Sequence, residues 1–236
     1  MTTLILLRHG RSSANAAGVL AGRTPGVELD EAGKEQAERM VERLTGVPLA
    51  AVVSSPALRC EQTVAPLLAE RGLTAETEPG LAEVDYGSWT GAALKDLAKE
   101  PLWRVVQAHP SAAVFPEGEG LAGMQARAVA AVRRHDARIA AEHGPRAVWL
   151  ACSHGDVIKS VLADALASHL DNFQRIVVDP CSISVVQYTE TRPFVLRVNE
   201  LGGDVAGLVP PEPDPAASTD GAEPTSDAVP GGTTGT

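Results

Sequence analysis

Two histidines and two arginines of this 236-residue chain stand where apolar runs end. Arg8-His9-Gly10 closes the run Leu4-Ile5-Leu6-Leu7, Arg59 follows Ala50-Ala51-Val52-Val53, and Ser153-His154-Gly155 closes Ala147-Val148-Trp149-Leu150-Ala151. An imidazole supplies a nucleophile or a proton carrier, and a guanidinium matches the oxygens of an anionic group. If the three runs are neighbouring strands, two guanidiniums and two imidazoles converge at the carboxyl edge of one sheet, where open α/β sheets bind ligands. Two helix N-termini would add N–H donors and partial positive charge. Such a pocket suits a dianionic phosphoryl group. Taken singly, a His or Arg at a strand end is more often a solvated surface group than a catalyst, Arg59 alone reads as an exposed helix charge and His154 alone as a helix cap. Four such residues at three separate strand ends are harder to dismiss.

The elements that must position them alternate along the chain. After the first strand, Asp30 to Leu44 carries Ala37, Met40, Val41 and Leu44 at helical spacing, with Asp30 as N-cap. Ser54-Ser55-Pro56 after the second strand reads as a helix start, serine cap then proline, for a helix from Ala57 to about Arg71. A short strand over Thr74 to Thr77 comes next, then an irregular segment through Glu83 and Trp89. A long helix is expected over Leu121 to Glu142 and another over Asp156 to Leu166. Ile183 to Gln187 and Phe194 to Val198 read as a closing hairpin. The pattern predicts an α/β fold: a three-layer sandwich with a mostly parallel sheet and an antiparallel edge.

Composition excludes several alternatives. The net charge of -10 argues against a nucleic-acid partner, which calls for a basic face. The stretch from Asp204 to Thr236 holds six acidic residues and no Lys or Arg, leaving 24 acidic against 20 basic residues before it. Rich in Pro, Gly, Ala and Thr, residues 207–236 are expected to be a disordered tail behind one domain over 1–206. The first apolar run is too short to cross a membrane and has no charged leader or small-residue cleavage site, so no membrane partner is expected. Cys60, Cys152 and Cys181 are odd in number and widely spaced, which favours free thiols and a cytoplasmic location. Cys152-x-His154 is the only hint of a metal site; without CxxC, HExxH or a His/Asp cluster, neither metal nor cofactor is expected.

Several blocks together resemble the histidine phosphatase superfamily, in its phosphoglycerate-mutase-like branch. They are Leu7-Arg8-His9-Gly10, Ser54 to Thr63 (SSPALRCEQT), Leu81 to Gly91 (LAEVDYGSWTG) and Ser153-His154-Gly155. Leu29 to Ala37 resembles the start of the family's first long helix, and Pro116-Glu117-Gly118-Glu119 the turn before its long helix. The blocks keep the family's order over residues 4 to about 200, with a small helical cap over about 91–120. The resemblance implies His9 as the nucleophile that forms a phosphohistidine, and Glu83 as the general acid and then base. Arg8, Arg59 and His154 would grip the phosphoryl oxygens, His154 in its protonated form, and Asn15 and the amide of Gly155 would add neutral hydrogen bonds. Asp85 is a nearby rival to Glu83. Arg11, Gly22 and Trp103 are further candidates for substrate contact. Arg11 stands where many relatives carry Glu, and either binds a second anionic group or faces solvent; Trp103 either packs or lines the entrance.

The function implied is a metal-independent phosphomonoesterase acting on a small phosphate ester, with an acid-side optimum because Glu83 must arrive protonated. Two other readings stay open: a phosphoglycerate mutase, and a non-catalytic module that binds a phosphorylated ligand. Between Glu83 and Pro116 stand Lys95, Lys99 and Arg104 but not the paired-arginine motif of the mutases, which favours hydrolysis. The resemblance also admits a homodimer.

Overall fold

A strand in the middle of a sheet covered on both faces must be apolar on both, and the sequence supplies such runs. In a computed structural model that describes residues 2–202, β1 (Thr2–Arg8) buries Leu4 and Leu6 in one core and Ile5 and Leu7 in another. The same division recurs in β2 (Leu49–Ser54) and in β4 (Val148–Ser153), which comes after the three-residue β3 (Ala75–Thr77). Val53, Trp149 and Ala151 face the first core, and Val52, Leu150 and Cys152 the second. β5 (Ile183–Tyr188) and β6 (Pro193–Glu200) complete a six-stranded sheet in the order β3-β2-β4-β1-β5-β6. The first four of these are parallel to one another, and β5 and β6 are antiparallel additions at one side.

Helices cover both faces. A short turn of helix, α1 (Ser13–Ala16), precedes α2 (Glu31–Arg43) and α3 (Leu58–Arg71), which close the second core with Met40, Val64 and Leu67. Two small helices, α4 (Leu94–Leu97) and α5 (Pro101–Ala108), form the cap. Then α6 (Leu121–His143) and α7 (Gly155–Ala165) close the first core with Met124, Val132, Val157 and Val161. The architecture is the expected three-layer sandwich with a mostly parallel sheet and an antiparallel edge. No helix of the described residues is long and apolar enough to cross a membrane. The expected tail at 207–236 and the boundary at 206 lie outside the described residues.

Two local expectations change. Asp30 caps α2 by accepting from the Gly33 amide at 2.8 Å, as expected, but α3 starts later than Ser54-Ser55-Pro56 suggested. Its N-cap is Ala57, without a side-chain cap, because the Ser55 hydroxyl lies 2.7 Å from His154 instead. Trp103 is only 7% exposed and stacks on Trp89 with ring centroids 6.4 Å apart, so it packs the cap onto the body. Phe115 adds edge contacts to Trp89 and Tyr86, which makes the cap part of the first core.

Candidate active site

Because β2, β4 and β1 are adjacent and parallel, their three carboxyl ends lie side by side. β1 ends in Arg8, fully buried, with Nη1 donating to the Val178 carbonyl at 2.7 Å. The chain then turns through His9, whose amide still donates to the Ser153 carbonyl on β4. Gly10 is needed for closeness: a Cβ there would stand 2.8 Å from the Gly33 carbonyl oxygen at the start of α2. Its amide donates to Thr63 of α3 at 2.9 Å, fixing the turn from a second side.

The two imidazoles are set in opposite tautomers. His9 Nδ1 lies 2.7 Å from the Gly10 carbonyl, which can only accept, so Nδ1 carries the proton and Nε2 presents its lone pair. His154 Nδ1 lies 3.1 Å from Arg59 Nη2, which can only donate, so Nδ1 accepts and Nε2 donates to Ser55 Oγ at 2.7 Å. The rings meet edge-on with centroids 5.2 Å apart. Burial above all, then the charges of Arg59 and Arg8, push His9 well below the usual histidine range. His154 is pushed the same way by burial, then by Arg59, His9 and Arg8. Both rings are therefore neutral near pH 7. Burial lowers Arg8 to about 10, which leaves it a cation.

Arg59, in the first turn of α3, is buried and held by the Gly22 carbonyl at 2.9 Å. Gly22 has φ +52°, and a Cβ there would stand 2.9 Å from Thr90 Oγ1, so its part is to hold that carbonyl in place. His154 is the N-cap of α7 and Gly155 its first residue, so the amides that open α7 have no partner within the helix.

Glu83 faces this group from the segment after β3. Its Oε2 stands 3.7 Å from His154 Nδ1, and its Oε1 accepts from the Val84 amide at 2.9 Å. Burial, then the nearby Asp156 carboxylate, raises Glu83 to about 7, against the opposing pull of Arg59, the Val84 amide and Arg8. A carboxyl with that value is protonated or ionised with equal ease near neutrality, as a proton relay requires. The rival Asp85 side chain is 44% exposed and faces Arg23 at 3.7 Å.

Several residues that hold this geometry carry no signal in the sequence. The Glu83 carbonyl accepts from Arg23 Nε at 2.8 Å and Arg127 Nη2 at 3.0 Å. Glu119 joins both guanidiniums, at 2.8 and 2.6 Å, and also accepts from the Asp85 amide. Ser153 Oγ donates to the Leu81 carbonyl at 2.8 Å, which fixes the same segment to β4. Asp156, buried, accepts from Tyr86 Oη at 2.9 Å. Of these, Tyr86, Glu119 and Ser153 stand in blocks singled out by resemblance, and Arg23, Arg127 and Asp156 stand in none.

The weaker candidates separate. Asn15 Oδ1 accepts from the Ser12 amide and hydroxyl, which leaves its amide nitrogen as a donor. Arg11 is committed to Asp30, Nε to Oδ2 at 2.6 Å, and so braces the N-cap of α2. All three cysteines are free and buried. Among the described residues, no three His, Cys, Asp or Glu side chains gather as a metal cage.

The model of the histidine phosphatase superfamily (branch 1) matches residues 4–201. The chain belongs to this superfamily. Among histidine phosphatase relatives, phosphoserine phosphatase 1 of Hydrogenobacter thermophilus is 28% identical over 202 residues, covering 84% of this chain and 92% of that one. A Yersinia pestis protein named as a phosphoglycerate mutase is 29% identical over 218 residues, with coverage of 91% and 98%. Among solved structures, the alpha-ribazole phosphatase of Shigella flexneri matches with a TM-score of 0.73 at 25% identity, over 86% of this chain and 98% of that one.

Proposed function

We propose that this histidine phosphatase is a phosphomonoesterase that works through a phosphohistidine at His9 and needs no metal ion. The observation that carries the reading is the unprotonated Nε2 of His9, buried beside two guanidiniums and a second imidazole, with a carboxyl of near-neutral pKa across from it. His9 Nε2 attacks phosphorus as the ester P–O bond breaks, and protonated Glu83 gives its proton to the departing oxygen. Glu83, now ionised, takes a proton from water as water attacks phosphorus and the P–N bond breaks. Free imidazole and protonated Glu83 are restored.

Arg8 and Arg59 neutralise the phosphoryl charge throughout, and the Asn15 amide and the Gly155 N–H add neutral donors. A dianion against His154 offsets the burial and cationic charges that favour its neutral ring, so this imidazole takes up a proton on Nδ1 in the substrate complex. Because Glu83 must enter protonated, the optimum falls on the acid side of neutrality. The named substrates of the relatives, phosphoserine and alpha-ribazole phosphate, support a small phosphorylated metabolite as the substrate class.

A phosphate-release screen over a metabolite panel with chelator present, combined with trapping of labelled phosphate on the protein in acid and in base, tests this reading. The expected result is chelator-insensitive turnover, with a base-stable, acid-labile label that His9→Ala abolishes. Turnover without label, or label retained in His9→Ala, refutes the covalent step. The named mutase relative keeps a second reading in play, and 3-phosphoglycerate separates the two: it is dephosphorylated by a phosphatase and isomerised by a mutase.

A further inference from the structure

One face of α6 runs along the chain that leads to Glu83, helix numbers falling as chain numbers rise. Arg138 Nη2 donates to Glu76 of β3 at 2.6 Å. Arg134 Nη2 and His135 Nε2 then reach Glu78 Oε2, at 2.5 and 2.7 Å. A Cβ on Gly80 would stand 2.7 Å from the Ala131 Cβ, so the chain lies flush on the helix there. Arg127 donates to the carbonyls of Gly80 and Glu83, at 2.8 and 3.0 Å. Residues 127, 131, 134, 135 and 138 fall on one side of a helix by their spacing.

The middle of this contact is a buried polar pair, Glu78 and His135. Arg138 Nη2 lies 3.2 Å from His135 Nδ1 and can only donate, so Nδ1 accepts and Nε2 carries the proton that it shares with Glu78. The other Glu78 oxygen accepts from the Gly80 amide at 2.7 Å, and the Glu78 amide donates to the Ser54 carbonyl at the end of β2. Glu78 therefore ties α6 and β2 to the 3₁₀ turn Pro79–Leu81, which opens onto Glu83. Apolar side chains here would hold helix and chain together without the desolvation that a buried ionic pair incurs, but they would not select one register.

We infer that Glu78 and His135 are positioning residues for Glu83: they set the register of the chain on α6, and with it the place of the acid in the site. The inference rests on the reading of Glu83 as proton donor. A misplacement of about 1 Å at a reacting group can cost about 10²-fold, and here the loss falls on the step that needs the proton.

The test is the ratio of kcat/KM for an alkyl phosphate to kcat/KM for an aryl phosphate, both measured on one preparation. Each value scales with the folded fraction, so lost stability cancels in the ratio, whereas a misplaced acid lowers it. Glu83→Gln sets the scale, with an expected fall of about 10²-fold or more. Glu78→Ala and His135→Leu are expected to lower the ratio about tenfold or more. His135→Gln, whose side-chain amide still donates to Glu78, is expected to hold it within about threefold of the wild type. Gly80→Ala presses on Ala131 and on Glu78 Oε1, 2.8 Å from the new Cβ, without removing a polar group; it is expected to lower the ratio and decides the matter where the polar variants fail to fold. A ratio that Glu83→Gln lowers and the folded variants at 78, 80 and 135 leave at the wild-type value overturns this inference alone. So does a loss in His135→Gln as large as that in His135→Leu. A ratio that Glu83→Gln leaves unchanged overturns the proton donor, and this inference with it.

Discussion

Asp156→Asn isolates one carboxylate acting on another. Glu83 rises from an ordinary 4.5 to about 7, with burial as the larger cause and Asp156 as the second. The other groups facing Glu83 are Arg8 on β1, Arg59 on α3, Arg127 on α6 and His154 at the start of α7; they stay in place in the variant. Asparagine keeps an oxygen to accept from Tyr86 while the substitution removes the charge. With burial still raising Glu83, the loss of Asp156 is expected to lower it by about one pH unit, equivalent to about 1.4 kcal/mol. The profile of kcat/KM reports groups of free enzyme and free substrate. Its acid limb is set by the second ionisation of the phosphate ester, near pH ~6, and its basic limb by Glu83. The variant therefore keeps the acid limb while the basic limb moves down, which costs about tenfold in kcat/KM at pH ~8 and little at pH ~5.5. The assay is phosphate release from an alkyl phosphate, whose leaving oxygen needs the proton. A basic limb that stays put or moves up would show that Glu83 is not the ionising group.

Further outcomes are expected from the same geometry. Glu83→Gln should lower kcat by about 10²–10⁴ on alkyl phosphates and much less on aryl phosphates, whose leaving oxygens depart without protonation; equal losses on both would count against a proton donor at this position. Ser55→Ala removes the acceptor that fixes His154 Nε2, and kcat is expected to fall more than tenfold with Tm changed only slightly, about 1 kcal/mol for one hydrogen bond. Trp103→Ala should cost about 3–5 kcal/mol by denaturant unfolding while the folded fraction keeps its pH profile; a shifted profile would place Trp103 in the site after all.

The strand ends are legible in the sequence because each joins two strong signals. Leu4 to Leu7 can be buried on both faces only in a central strand, and a cation or imidazole at its end then lies at the ligand edge. The adjacency of β2, β4 and β1 is not written in the residues, and the parallel pairing in the structure supplies it. Serine at 55 misleads because a hydroxyl before a proline satisfies two rules at once, capping and side-chain support, and only the neighbouring strand decides between them. Arg23 and Arg127 are invisible for a different reason. Their target is the carbonyl of Glu83, 60 and 44 residues away, and a main-chain oxygen has no letter in the sequence. Trp103 is ambiguous because an apolar helical stripe on a cap packs downward or faces a ligand with the same spacing, and the structure adds its stacking on Trp89.

Two guanidiniums grasp Glu83 by its backbone and not by its carboxyl group. The scaffold therefore dictates where this residue sits without dictating what it is. Another side chain at 83 would inherit the same place facing Arg8, Arg59 and His154. Losing Glu119 would be a different event, since both clamps lean on it and the whole segment would drift before any chemistry changed.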